Sequence, residues 1–277
     1  MKTLTLGYSP CPNDTFIFHA LVHGHVAIPG IQIRERLEDV ETLNQLARNA
    51  VLDLTKISYH ALGHLRENYA LLRSGGALGR GCGPLVIAAE PASMDDLRGK
   101  RIAIPGLLTT ANLLLQLYGE GYGNAVVMRF DRIMPAICAG EVNAGVIIHE
   151  SRFTYAKHGL LKILDLGEWW EKTSGLPIPL GGILARRDLG AELIGRLDQA
   201  VHDSLAYAYA HPGEARSYIR QHAQELEDEV IDNHIELYVN DFSLNLGSEG
   251  EQAVSELLGR AEARGLIPAC SLPLFLS

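Results

Sequence analysis

Basic charge is scarce in this chain of 277 residues: 24 Lys and Arg face 33 Asp and Glu, for a formal charge of -9. No basic cluster interrupts that acidity, so nucleic acid is a poor partner for it. The sequence also lacks any apolar run near the roughly 18 residues that a membrane-spanning helix needs. Its first residues, Met1 to Tyr8, alternate like a strand without the apolar core of a signal peptide, and the cytoplasm is the expected location. Only four cysteines occur, Cys11, Cys82, Cys138 and Cys270, with no C-x-x-C pair. Neither disulfides nor a cysteine-based metal site is expected from them. The glycine-rich stretch 75–83 lacks the G-K-[ST] ending of a phosphate loop and reads as a flexible lead into a hinge. His19/His23 and His60/His64 have helical i,i+4 spacing, but no H-E-x-x-H pattern or third ligand accompanies them. No metal is expected.

What is present is the profile of a folded globular protein, 47% hydrophobic and 21% charged. Strand and helix patterns alternate from the start, which argues for α/β layering. Thr3 to Gly7 reads as a strand, and the turn Pro10-Cys11-Pro12-Asn13-Asp14 leads into a helix from Thr15 to His23. Gly30 to Arg34 is a second strand, Val40 to Arg48 a second helix, and Val51 to Ser58 a third strand with a polar end. Near residue 84 an independent series begins. Pro84 to Ala89 and Ile102 to Gly106 are strands, Thr109-Thr110-Ala111-Asn112 opens a helix, and Val146 to Ile148 is a buried strand. Pro177 to Leu184 is strand-like again. Leu193, Leu197, Val201 and Leu205 then form one apolar helical stripe. Ser248-Glu249-Gly250-Glu251 has the pattern of a capping box, and Gly265 is placed to stop the last helix.

Two βα sets joined by two extended crossings make a hinged cleft of the kind that closes on ligands. The expected division is a large lobe of residues 1–88 plus 186–277 and a small lobe of 89–185. Each lobe is expected to hold a mostly parallel sheet flanked by helices, the architecture of type II periplasmic binding proteins.

His149 ends the run Gly145-Val146-Ile147-Ile148-His149-Glu150, at the C-terminal edge of a buried strand. Open parallel sheets bind ligands at that edge. An imidazole there suits acid–base work, or simply hydrogen-bonds at a strand end. Thr109, Thr110 and Ala111 begin a helix whose first N–H groups lack internal partners and favour negative charge. An ordinary N-cap explains the threonines equally well. Asn13 and Asp14 hold the same kind of place on the first lobe. Lys56 and Ser58 end the third strand, where a lysine is either a solvated charge or a cleft residue. Cys11 shows neither a partner base nor a reason for a lowered pKa. Trp169 and Trp170 suit the cleft mouth or packing against the second lobe.

Tyr8 to Phe16, Lys56-Ile57-Ser58, Pro105-Gly106 with Thr109-Thr110-Ala111, Gly145 to Glu150 and Pro177 to Gly182 together resemble the 1,4-dihydroxy-6-naphthoate synthases of the futalosine route to menaquinone. The resemblance runs from the first strand to the final helices. It implies a carbon–carbon lyase that cleaves cyclic dehypoxanthinyl futalosine and releases a three-carbon fragment, with no metal or organic cofactor. By the same resemblance His149 is the base, and Lys56, Ile57, Ser58, Thr109 and Thr110 contact a small carboxylate substrate.

Three rivals stand beside this reading. A solute-binding protein without chemistry shares the architecture, but such receptors are exported or tethered. Chorismate dehydratase of the same pathway also takes a compact carboxylate, although the Pro10–Asp14 and Ile148–Glu150 motifs favour the naphthoate synthase. An effector-binding regulatory domain would be fused to a DNA-binding module. The apolar tail Leu272 to Leu276 fits either docking back onto the chain or a homodimer contact, so monomer and homodimer both remain.

Overall fold

A computed structural model describes residues 1–224 and 226–276. Five strands open the first sheet: β1 (Lys2–Tyr8), β2 (Ile31–Leu37), β3 (Leu54–Ser58), β4 (Tyr69–Leu71) and β5 (Ala77–Gly79). A second sheet is built by β6 (Leu85–Ala88), β7 (Ile102–Ile104), β8 (Ala125–Val127), β9 (Ala144–Ile147) and β10 (Leu161–Asp165), in the order β10-β6-β9-β7-β8. The chain then returns through β11 (Ile178–Arg186), which lies between β3 and β4 and also pairs with β5. Alternation sets the faces. Leu4, Leu6 and Tyr8 of β1 are buried, whereas β2 at the edge exposes charges at Arg34, Glu35 and Arg36 that discourage pairing with another chain.

Two expectations need correction. Leu85–Ala88 pairs with β9 and β10, and Ile178–Ala185 pairs in the first sheet, so both lobe boundaries drawn at 88/89 and 185/186 move. The sheets are also mixed rather than mostly parallel. β1 pairs β2 and β3 in parallel, and β7 does the same with β8 and β9. By contrast β6 and β11, the strands on the far side of each crossing, run against their neighbours. Strands that carry the chain between sheets arrive from the opposite direction, a geometry that βα periodicity does not encode.

The first crossing is held tightly. A Cβ on Gly83 would lie 2.3 Å from the Cα of Gly167, so glycine is required where the chain passes the start of the helix Leu166–Ser174. That helix is capped by Asp165, which accepts from the N–H groups of Gly167 and Glu168. Trp170 is wholly buried and donates Nε1–H to Pro177 O at 3.0 Å, while Trp169 packs edge-on against Tyr118. Both tryptophans therefore serve packing.

Helices Pro12–Val22 and Ala191–Ala210 cover one face of the first sheet, with Leu197, Val201 and Leu205 fully buried. The final helix runs Gly247–Ala263 without a side-chain cap, so Ser248 and Glu251 form no capping box. Asn240 and Ser243 form one instead, at the helix Asp241–Leu244. Gly265 stops the final helix in the left-handed region (φ +66°). The apolar tail docks back: Leu71 donates its N–H to Leu274 O at 2.8 Å, and the Arg73 guanidinium sits 4.3 Å above the Phe275 ring. Among the described residues no helix is long and apolar enough to cross a membrane.

Candidate active site

Parallel strands deliver their C-terminal ends to one region between the sheets. There β1 leads to Ser9, Asn13 and Asp14, and β3 ends in Lys56, Ile57 and Ser58. From the other lobe, β7 leads to Thr109, Thr110 and Ala111, and β9 leads to Ile148 and His149. These segments line a cavity of about 90 Å³. Every residue singled out from the sequence, Asn13, Asp14, Lys56, Ile57, Ser58, Thr109, Thr110, Ala111 and His149, lies on its wall. Cavities at the C-terminal ends of parallel strands are the expected ligand sites of open α/β sheets.

The first-lobe wall is a chain of polar contacts. Asp14 accepts from Ser9 N–H at 3.1 Å, Ser9 Oγ at 2.7 Å and Asn13 Nδ2 at 2.8 Å, and pairs with Lys56 Nζ at 3.0 Å. Lys56 also donates to Gly75 O at 3.0 Å. It is a buried partner of this network, not a solvated strand-end charge. Ser58 is fixed by Asn44, whose Oδ1 accepts from Ser58 N–H at 3.0 Å.

On the second lobe the threonine hydroxyls are already engaged. Thr109 Oγ1 donates to Gly106 O at 2.8 Å and accepts from Asn112 N–H, the N-cap of the helix Thr110–Tyr118. Thr110 Oγ1 donates to Leu180 O at 2.6 Å across the lobes. Direct hydroxyl contact with a carboxylate is thus displaced in favour of the N–H groups of Thr110 and Ala111, which precede the first intrahelical bond.

His149 follows β9 with φ +58°, in the left-handed region that non-glycine residues seldom occupy. Such strain persists where the surroundings enforce it, and it clusters at functional sites. Its ring packs edge-on to Phe130, with centroids 5.0 Å apart, and lies 6.4 Å from the His234 ring. Enclosure pushes its pKa down to about 4; Asp14 opposes that shift and Lys56 adds to it. The imidazole is therefore neutral at ordinary pH and lines the cavity.

Sequence reasoning missed part of the wall. His234 and Tyr238, one helical turn apart on Asp228–Tyr238, line the same cavity. A histidine sharing a helix face with Val230 and Ile231 was the available signal. Glu41 was missed too; its Oε2 accepts from Leu108 N–H of the opposite lobe at 3.3 Å.

The remaining candidates lie elsewhere or are inert. His19 and His23 pack as a tilted pair with ring centroids 4.4 Å apart, and His60 hydrogen-bonds Thr109 O. Cys11 is buried, and burial together with the nearby Glu150 charge pushes its thiol well up, against a role as nucleophile. Donor atoms of Cys11, His149 and Glu150 come within 4.8 Å of one another, the one group among the described residues with metal-ligand proximity.

Over its full length the chain is 58% identical to a protein of Thermus thermophilus named 1,4-dihydroxy-6-naphthoate synthase, covering all of both chains. A protein of the same name from Streptomyces coelicolor is 49% identical, over 96% of this chain and 95% of that one. The alkanesulfonate-binding protein of Xanthomonas axonopodis pv. citri superposes with a TM-score of 0.74 at 16% identity, over 97% of this chain and 95% of that one. That likeness shows the fold alone, and the fold is that of periplasmic binding proteins. Residues 4–263 match the family described as menaquinone biosynthesis, and with its full-length relatives this places the chain in that family.

Proposed function

We propose that this chain is a 1,4-dihydroxy-6-naphthoate synthase, a carbon–carbon lyase acting on cyclic dehypoxanthinyl futalosine in menaquinone synthesis. The observation that carries the mechanism is a neutral His149 in left-handed backbone, lining the same cavity as Thr110 and Ala111 at a helix N-terminus. The N–H groups of Thr110 and Ala111 hold the benzoate-type carboxylate, and the helix dipole favours its charge. Asn13, Asp14 and Ser58 meet the hydroxyls of the sugar-derived half. Lys56, tied to Asp14, holds that wall in shape, and Ile57 supplies an apolar surface.

His149 removes a proton and starts a retro-aldol-like fragmentation that releases the three-carbon piece. Aromatisation of the new ring supplies driving force. Closure of the two lobes on the substrate excludes water and aligns the base. A reading as a binding protein uses the same cavity, and the assay for product separates the two. A cytoplasmic location is part of the proposal, and cell fractionation checks it.

Turnover of cyclic dehypoxanthinyl futalosine by purified, metal-free protein tests the proposal, with the naphthoate product followed by absorbance and mass. Product that disappears in a folded His149→Ala variant is the expected result. Tight binding without product would favour a receptor, and turnover of chorismate would favour the dehydratase.

A further inference from the structure

The protonation pattern of the first-lobe wall can be deduced atom by atom. Asp14 is an acceptor, so the Asn13 atom 2.8 Å from its Oδ1 must be the amide nitrogen. That fixes the Asn13 amide with Oδ1 turned the other way, 2.9 Å from His234 Nε2. An amide oxygen only accepts, so Nε2 of His234 carries a proton. Burial above all, with the nearby Lys56 charge, holds His234 well below its ordinary pKa, and the ring is neutral. Its proton is on Nε2, and Nδ1 is bare. No described residue bonds Nδ1. A bare acceptor there costs less than a buried orphan N–H, which agrees with the same tautomer.

We infer that His234 is a positioning residue. As a neutral Nε2–H donor it locks the Asn13 amide, and through Asn13 it orients Asp14 and Lys56 toward the substrate. The inference rests on the proposed function for its substrate but not for its tautomer. His234 is fully buried, on a helix at the far end of the chain from Asn13, so the contact ties the C-terminal helices to the first turn of the cavity wall. Without it the Asn13 side chain can rotate, and its Nδ2 no longer has a fixed direction toward Asp14. Substrate binding and transition-state binding then weaken together, which raises KM and leaves kcat nearly unchanged.

Three variants separate the two ring nitrogens. His234→Gln places an amide N–H near the Nε2 position, whereas His234→Asn places its amide near Nδ1. His234→Phe keeps the volume and removes both. The expected pattern is a KM raised about tenfold in His234→Phe and His234→Asn, the scale of one buried hydrogen bond, with rescue to within about threefold in His234→Gln. Rescue by Asn but not Gln, equal loss in all three folded variants, or wild-type KM in His234→Phe would each overturn the inference. Imidazole 15N shifts of the wild-type protein give a readout that needs neither turnover nor a variant. A neutral Nε2–H tautomer is expected, and a proton on Nδ1 overturns the assignment even if the substrate proves to be another carboxylate. Absence of turnover in the wild type, with the Nε2–H tautomer found, would instead count against the proposed function.

Discussion

Lys56 Nζ lies 3.0 Å from Asp14 Oδ1, and the two side chains are only 7% and 2% exposed. A charge pair so far from water holds its place only with further hydrogen bonds, and Ser9, Asn13 and Gly75 supply them. The pair joins the end of β3 to the first turn after β1, and so sets the shape of one cavity wall.

Breaking this pair should cost more than its net contribution. Lys56→Met leaves the Asp14 charge buried without its cation, and a loss of about 3–5 kcal/mol is expected. Asp14→Asn should be similarly damaging, while the double variant with apolar replacements recovers part of the loss. Urea unfolding of the single and double variants checks this, and unchanged midpoints in the singles would refute it.

Acid should weaken the fold through its neutral histidines. His149 and His60 ordinarily titrate near 6.5, and in the folded chain both are pushed down to about 4, chiefly by burial. Between those values the unfolded chain binds more protons than the folded one. Their contribution to stability is therefore complete above about pH 6.5 and is lost as pH falls toward 4. Melting temperature measured across that window should drop steeply. The kcat/KM profile should show no His149 inflection near neutrality; one near 6.5 that vanishes in His149→Gln would contradict the assignment.

The contact of Glu41 with Leu108 N–H should favour lobe closure. A Cβ on Gly106 would come within 2.3 Å of Glu41 Oε2, so Gly106→Ala displaces that carboxylate. Glu41→Ala and Gly106→Ala should each raise KM about two- to tenfold, the range of one hydrogen bond. Because both remove one contact, their effects should not add. Additive effects in the double variant would show that the contact does not link them.

At the first crossing, Gly83→Ala would drive a methyl group into the backbone of Gly167. Backbone cannot rotate aside as a side chain can, and a cost of about 1–3 kcal/mol is expected. A lowered melting temperature by calorimetry is the readout, and an unchanged one would mean the crossing shifts freely.

Thiol chemistry should spare activity. Cys138 is exposed, whereas Cys11 is buried with its thiol held protonated. Iodoacetamide should label Cys138 ahead of Cys11 without loss of turnover, as peptide mass mapping will show. Inactivation that tracks Cys11 labelling would restore Cys11 as a candidate.

Local pattern was enough to reveal much of this protein. Period-two alternation in Lys2–Tyr8, the apolar stripe Leu197–Val201–Leu205 and polar residues at strand ends are written in neighbouring positions, so they were legible along with eight of the wall residues, while Ile57 came from the family resemblance. Other features depend on partners far apart in the chain. The antiparallel entry of β6 and β11 and the engagement of the Thr110 hydroxyl by Leu180 are products of packing. His234 makes the point best, since 221 positions separate it from the Asn13 it contacts. The sequence determined which elements form and which side chains they carry to their ends. Only the tertiary structure decided which of those side chains meet, because burial and long-range hydrogen bonds exist only once the lobes have closed around the cavity.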